Sequence, residues 1–86
     1  MFVMGTNTWD FDIPTKGLIK QALKFAEDMK AQGIPELRDA CIAPGEKLLW
    51  CSWETEDFEA LQAAFDELNK TTGLRSELKQ VEVFYP

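Results

Sequence analysis

Residues 47–53, Lys-Leu-Leu-Trp-Cys-Ser-Trp, form the segment that most constrains how this chain can fold. A β-strand places alternate side chains on opposite faces of its sheet, and here both alternating sets are apolar. One set is Leu48 and Trp50, and the other is Leu49, Cys51 and Trp53. A strand of this kind is covered on both faces, yet a short chain has few elements to cover them. The pattern therefore predicts an interior strand with helices on one face and a partner on the other.

The chain length predicts a single domain over residues 1–86 with a thin core. A chain of 86 residues buries only about 60 to 65% of the surface that its unfolded form exposes. No apolar run approaches the roughly 20 residues that span a bilayer, and the first residues lack the basic start of a signal peptide. Two cysteines are fewer than a small disulfide-stabilised secreted domain usually carries. We therefore expect a cytoplasmic protein with reduced thiols.

The formal net charge of -6 makes this an acidic protein. The excess lies after residue 33, and residues 54–67 contain six acidic side chains and no basic one. Nucleic acids and anionic membranes favour basic surfaces, so neither is an expected partner. The simplest explanation of the acidic run is a solvated helix face.

Periodicity and turn residues predict six elements in the order βαββαβ. Strands are expected at residues 2–9, 34–43, 47–53 and 77–85. Helices are expected at residues 14–32 and from about Thr55, as the N-cap, to Leu68. The apolar stripe of the first helix consists of Leu18, Ile19, Ala22, Leu23, Ala26 and Met29. Pro44 and Gly45 predict a tight hairpin turn between the second and third strands. Right-handed crossovers then place both helices on one face of a four-stranded antiparallel sheet, an α+β fold of ferredoxin-like type.

The order of elements, the Pro44-Gly45 hairpin and the aromatic segment from Trp50 to Phe58 resemble the dimeric α/β-barrel group of ferredoxin-like proteins. The resemblance covers the whole chain. It implies a homodimer in which two sheets pack face to face, which would cover the second apolar face of residues 47–53. The group includes cofactor-independent monooxygenases, isomerases, stress-related proteins and members without known activity. The resemblance therefore leaves open whether the chain is an enzyme.

Five side chains are candidates for lining a ligand pocket: Asn7, Trp9, Trp50, Trp53 and Tyr85. The aromatic rings could hold a flat apolar molecule, while an amide or phenol fixes its orientation. Core or interface packing explains the same aromatic residues more simply. No motif supports a catalytic assignment.

Other chemistry finds little support in the sequence. The chain has no histidine, which removes the commonest general base and most zinc-site patterns. Cys41 and Cys51 lack metal or redox spacing, and the predicted hairpin holds them too far apart for a disulfide, so we expect two buried, inert thiols. Asp10 and Asp12 could hold magnesium, but an ordinary charged turn is the simpler interpretation. No metal and no cofactor are expected.

Two functions agree with these observations. The first is a small homodimeric binding or interaction module, with a small apolar or aromatic ligand. The alternative is a cofactor-independent monooxygenase or isomerase of the dimeric α/β-barrel type.

Overall fold

A computed structural model describes residues 1–33 and 35–85 and shows the predicted order of elements. Each helix connects two strands of the sheet, and the second and third strands along the chain form a hairpin. The elements are β1 (Phe2–Thr8), α1 (Thr15–Ala31), β2 (Glu36–Ala43), β3 (Leu48–Glu54), α2 (Phe58–Thr72) and β4 (Arg75–Val81).

The four strands form one antiparallel sheet in the order β2-β3-β1-β4, which is the ferredoxin-like arrangement. The predicted α+β fold is therefore confirmed, as is the interior position of β3. The hairpin turn contains Gly45 and Lys47, both with positive φ, and the backbone N–H of Glu46 donates to the carbonyl of Ala43.

The two faces of β3 are divided as the alternation predicts. Val3 on β1 lies opposite Trp53, and Gly5 lies opposite Cys51, so these residues share one face of the sheet. That face is covered by the helices, because the buried core joins Val3 and Trp53 to residues of both helices. Trp50, opposite Thr6 of β1, lies on the other face.

An aromatic cluster holds the helices against the sheet. The ring of Trp53 on β3 contacts Phe25 of α1 and Phe65 of α2 edge to face, with ring centroids 6.1 and 5.8 Å apart. The rings of Phe25 and Phe65 lie 5.1 Å from each other. Such edge-to-face pairs are worth about 0.5 to 1.5 kcal/mol each beyond the area they bury. Met29 and Leu61 complete the core beside this cluster.

The structure corrects the predicted face of α1. Leu18 and Met29 are buried and Phe25 is partly buried, whereas Ile19 and Leu23 are exposed although the sequence pattern placed them on the apolar stripe. The buried and the exposed apolar residues both recur at helical spacing. The pattern alone therefore did not determine which side of α1 faces the sheet.

The structure also moves several predicted boundaries. The backbone of Thr55 exchanges hydrogen bonds of 3.0 and 2.8 Å with Met1, which continues the pairing of β1 with β3 and keeps Thr55 out of α2. The N-cap is instead Asp57, whose carboxylate accepts from the backbone N–H of Ala60 at 3.0 Å.

β4 covers Arg75–Val81 rather than residues 77–85, and the predicted β1 is one residue too long. Arg75 pairs with Thr8 and Val81 pairs with Phe2, so β4 begins and ends where β1 does. The predicted start of β2 at Ile34 lies outside the described residues.

Within the described residues, neither helix combines the length and apolar character that crossing a membrane would require.

We predict that Gly5→Ala destabilises the fold by about 1 to 3 kcal/mol, because an added Cβ would lie 2.8 Å from Cys51 Sγ and 3.1 Å from Leu78 Cδ2. Urea denaturation measures the change in the free energy of unfolding.

The loss should be smaller when Gly5→Ala is made in a Cys51→Ala background, since the closest clashing atom is then absent. Gly17→Ala is the matched control: its Cβ would make only ordinary contacts, and a helix favours alanine, so we expect a gain of about 0.4 to 1 kcal/mol. Equal losses in both backgrounds would show that the Cys51 contact is not the cause.

Candidate functional site

An apolar cleft lies between the sheet and the two helices, and side chains of both α1 and α2 line it. Its inner part has a volume of about 70 Å³. The floor includes Asn7 and Cys51 from the central strands, and the roof includes Ala22 and Phe25 from α1. Gln21 and Ala40 also line this space and are exposed, so the cleft reaches solvent between α1 and the edge strand β2.

A larger outer cavity of about 420 Å³ adjoins the inner one. Trp9 and Leu18 line both spaces and form the boundary between them. The outer rim is polar, since the Lys47 ammonium lies 3.1 Å from the Asp12 carboxylate and donates to the carbonyl of Asp10 at 2.8 Å. Together the two spaces form a site with an apolar interior and a charged rim.

Asn7 brings a buried polar side chain to the floor of the cleft. It is 4% exposed, and its amide oxygen accepts from the hydroxyl of Ser76 at 2.6 Å. Its amide nitrogen donates to the carbonyl of Leu49 at 3.2 Å and to Cys51 Sγ at 3.5 Å. Sulfur is a weak acceptor, so a hydrogen bond from the Asn7 amide to a ligand oxygen could replace the one to Cys51 Sγ at a small cost in free energy.

Cys51 is the titratable side chain of the inner cavity within the described residues. Burial raises the pKa of the Cys51 thiol, although hydrogen bonds to Trp53 and Asn7 act in the opposite direction. The indole N–H of Trp53 donates to Cys51 Sγ at 3.1 Å. At neutral pH the thiol is therefore protonated, which makes it a poor nucleophile.

The expectation that both cysteines are buried is wrong for Cys41. Cys41 lies opposite Trp50 on β3, whereas Cys51 lies opposite Ala40 on β2. The two thiols consequently lie on different faces of the sheet, where Cys41 is exposed and Cys51 is buried. Both thiols are free, as predicted, but the predicted reason is wrong. The cysteines are only one register position apart, and they are kept from pairing because they lie on opposite faces of the sheet.

Asp10 and Asp12 form ion pairs in the turn after β1. Two nitrogens of the Arg75 guanidinium donate to the Asp10 carboxylate at 2.6 and 3.2 Å, and this arrangement holds the pKa of Asp10 below its usual range. Asp12 pairs with Lys47. In the described part of the chain no group of three potential metal ligands comes together. The charged-turn interpretation of these carboxylates therefore fits the structure better than a magnesium site.

The face of the sheet opposite the helices, which we call the open face, is apolar at its centre. Met4 on β1 is 40% exposed and Trp50 on β3 is 37% exposed. The charges on this face include Asp39 on the edge strand β2 and Glu77 and Lys79 on the edge strand β4. The open face thus has an apolar centre between two charged edges.

The structure brings together three of the five side chains that the sequence suggested as ligand contacts. Asn7, Trp9 and Trp53 line the inner cavity. Trp50 lies on the open face, and Tyr85 follows β4 and is 85% exposed. One pocket of this chain cannot include all five.

Sequence reasoning missed the roof and the rim of the cleft. Gln21 and Phe25 line it from α1, but the apolar stripe chosen from the sequence did not include them. Lys47 reaches the rim from the hairpin turn, and nothing in the sequence singled it out, because a charged residue is ordinary in an exposed turn.

Comparison with known proteins supports the fold and nothing finer. No protein-family model and no curated protein matches the chain. A solved structure described as "Structural Genomics, protein YJCS" is similar, with a TM-score of 0.62 and 17% sequence identity. The match covers 94% of this chain and 97% of that chain. At this identity the likeness shows a shared fold and carries no function.

We predict that Asp10→Asn lowers the thermal midpoint at neutral pH, because it removes the ion pair that joins the end of β1 to the start of β4. Folding lowers the pKa of Asp10, so the ion pair gives its full stabilisation at pH values above the unfolded pKa of about 3.9. This stabilisation is lost as the pH falls through the pKa that Asp10 has in the folded state.

Thermal denaturation at several pH values measures this effect, and the difference between wild type and Asp10→Asn should disappear in acid. Glu27→Gln is the control, since Glu27 is exposed and forms no ion pair in the described residues. A difference that stays constant across the pH range would contradict the prediction.

Proposed function

We propose that this protein is a homodimeric binding module in which two open faces pack together and the cleft beside α1 holds a small, flat, apolar ligand. The observation that carries the proposal is the distribution of side chains on the sheet. Each face presents an apolar surface with a tryptophan, and the helices of the chain cover only one of them.

The open face has the anatomy of a protein interface. Stable interfaces have an apolar core and a polar rim, and tryptophan is enriched among the residues that contribute most to binding. Here Trp50 and Met4 lie at the centre, and charged side chains surround them on the two edge strands and at Glu54, the last residue of β3. A second copy of the same chain is the commonest partner of such a surface.

The volume and lining of the cleft support a small ligand. The inner cavity is about 70 Å³, which is roughly half of the ~150 Å³ cavity that binds benzene. Even a single benzene-sized ring must therefore extend past Trp9 into the outer space of about 420 Å³. Asn7 offers an amide N–H from the floor, so a flat molecule with one carbonyl or hydroxyl oxygen suits the site best.

Binding is favoured over catalysis by the chemistry of the inner cavity. The alternative, a cofactor-independent monooxygenase or isomerase, would gain support from a side chain positioned to move a proton from a substrate. The titratable group on the described lining of the inner cavity is Cys51, and its raised pKa makes it a weak acid. At the outer rim, Asp12 and Lys47 are paired with each other. We accordingly propose no reaction. A reducing compartment such as the cytoplasm suits the two free thiols, and it is the location that we propose.

The proposed dimer predicts that Cys41 becomes protected from labelling as the protein concentration rises, because Cys41 lies beside Trp50 on the open face. A thiol reagent with peptide mapping by mass spectrometry gives the rate at each cysteine. Light scattering after size-exclusion chromatography gives the mass. Cys51 is the internal control, since it should react slowly at every concentration.

A single-chain mass across the micromolar range, with Cys41 labelling that does not depend on concentration, would contradict the dimer.

The proposed ligand site predicts saturable binding of naphthalene, an uncharged flat probe. Nuclear magnetic resonance should show shifts of the indole N–H signals of Trp9 and Trp53 and of the Asn7 amide. The indole signal of Trp50, on the open face, serves as the internal control and should not move.

Ala22→Leu should fill the inner cavity and weaken naphthalene binding at least tenfold, because the added carbons occupy the space of the ring. Ala63→Leu, at an exposed position of α2, is the matched control and should bind naphthalene as the wild type does. Equal binding by both variants would place the probe elsewhere.

A further inference from the structure

The two most exposed large hydrophobic side chains of the described residues follow β4. Val83 is 52% exposed, Phe84 is 98% exposed and Tyr85 is 85% exposed. We call residues 83–85 the β4 extension. Contiguous exposed apolar groups on a protein mark an interaction site more often than single ones do. Phe84 has almost no contact with its own chain, so the fold of one copy does not explain it.

The position of the β4 extension places it within reach of a second sheet. β4 is an edge strand, and its last residue, Val81, pairs with Phe2 at the end of β1. From Val81 to Tyr85 an extended chain covers about 13 Å. Two sheets that pack face to face are about 10 Å apart. The extension is therefore long enough to cross from one sheet to the other.

The area of the open face gives an independent reason for the extension to take part. β1, β3 and β4 have seven residues each, so they are about 23 Å long, and four strands are about 19 Å wide. The projected area is then roughly 440 Å² per copy, which is a lower bound on the accessible surface that the face can bury, whereas a standard stable interface buries about 800 Å² of accessible surface per partner. Two aromatic side chains supply about 300 to 500 Å² when buried, which is enough to cover the largest shortfall that these figures allow.

We infer that the β4 extension of each copy packs on the open face of the other copy, with Phe84 and Tyr85 as its principal contacts. The inference rests on the proposed homodimer and adds that the two copies exchange their β4 extensions. The occupant of the open face is a second copy of this chain, because the reach and the area both match that arrangement. The extension does not fold back on its own sheet, as the exposure of Phe84 shows.

The test compares self-association of the whole chain with that of a Phe84→Ser, Tyr85→Ser double variant by sedimentation equilibrium. We expect the dissociation constant of the dimer to rise by about tenfold or more, since both residues are aromatic contacts that become buried. Leu23→Ser is the matched control, because Leu23 is 54% exposed on α1, away from the open face, and its dissociation constant should equal that of the wild type.

A second measurement uses Cys41 on the open face. At a concentration where the wild type protects this thiol, the double variant should label at the faster rate of the monomer. The fold should be retained, because neither replaced side chain is buried, and circular dichroism checks this.

The outcomes separate the two proposals. A wild-type dimer whose dissociation constant is unchanged in the double variant would overturn the exchanged segment and leave the homodimer standing. A wild type that stays monomeric would overturn both. Equal weakening by Leu23→Ser would also overturn the exchange, since the effect would then follow any loss of exposed apolar surface.

Discussion

The pairing of β1 with β3 is the contact on which the rest of the structure depends. Gly5 lies opposite Cys51, and the missing side chain of Gly5 leaves the space that Cys51 Sγ occupies. This register sends Trp53 into the aromatic cluster and Trp50 to the open face. A shift of one residue would exchange the two faces and bury the wrong tryptophan. The core, the cleft and the open face thus follow from one strand pairing.

The same pairing creates a buried polar network at the floor of the cleft. Asn7 accepts from Ser76 of β4 and donates to the backbone and thiol of β3, so its amide bridges three strands. Buried polar groups are costly unless they are hydrogen-bonded, and no unpaired buried side-chain atom is found among the described residues. The network fixes the register of the strands and also places an amide where a ligand could meet it. A structural role and a binding role are therefore compatible in this residue.

Much of the fold could be predicted because it depends on local patterns. The alternation in residues 47–53 placed β3 in the interior, and the Pro44-Gly45 pair placed the hairpin. The limits of β4 could not be predicted, since they depend on the length of β1 rather than on the residues of β4 itself. Of the candidate site, Asn7, Trp9 and Trp53 were found by residue type, whereas Gln21 and Phe25 depend on the rotation of α1 against the sheet.

By itself the sequence determined the order of elements and the doubly apolar character of β3, because hydrophobic periodicity is a property of neighbouring residues. Only the tertiary structure decided which tryptophan enters the core and which remains on the open face. It also decided that Cys41 and Cys51 lie on different faces. Those outcomes depend on the pairing of strands far apart in the chain and on the side of the sheet that the helices cover. No local pattern contains that information.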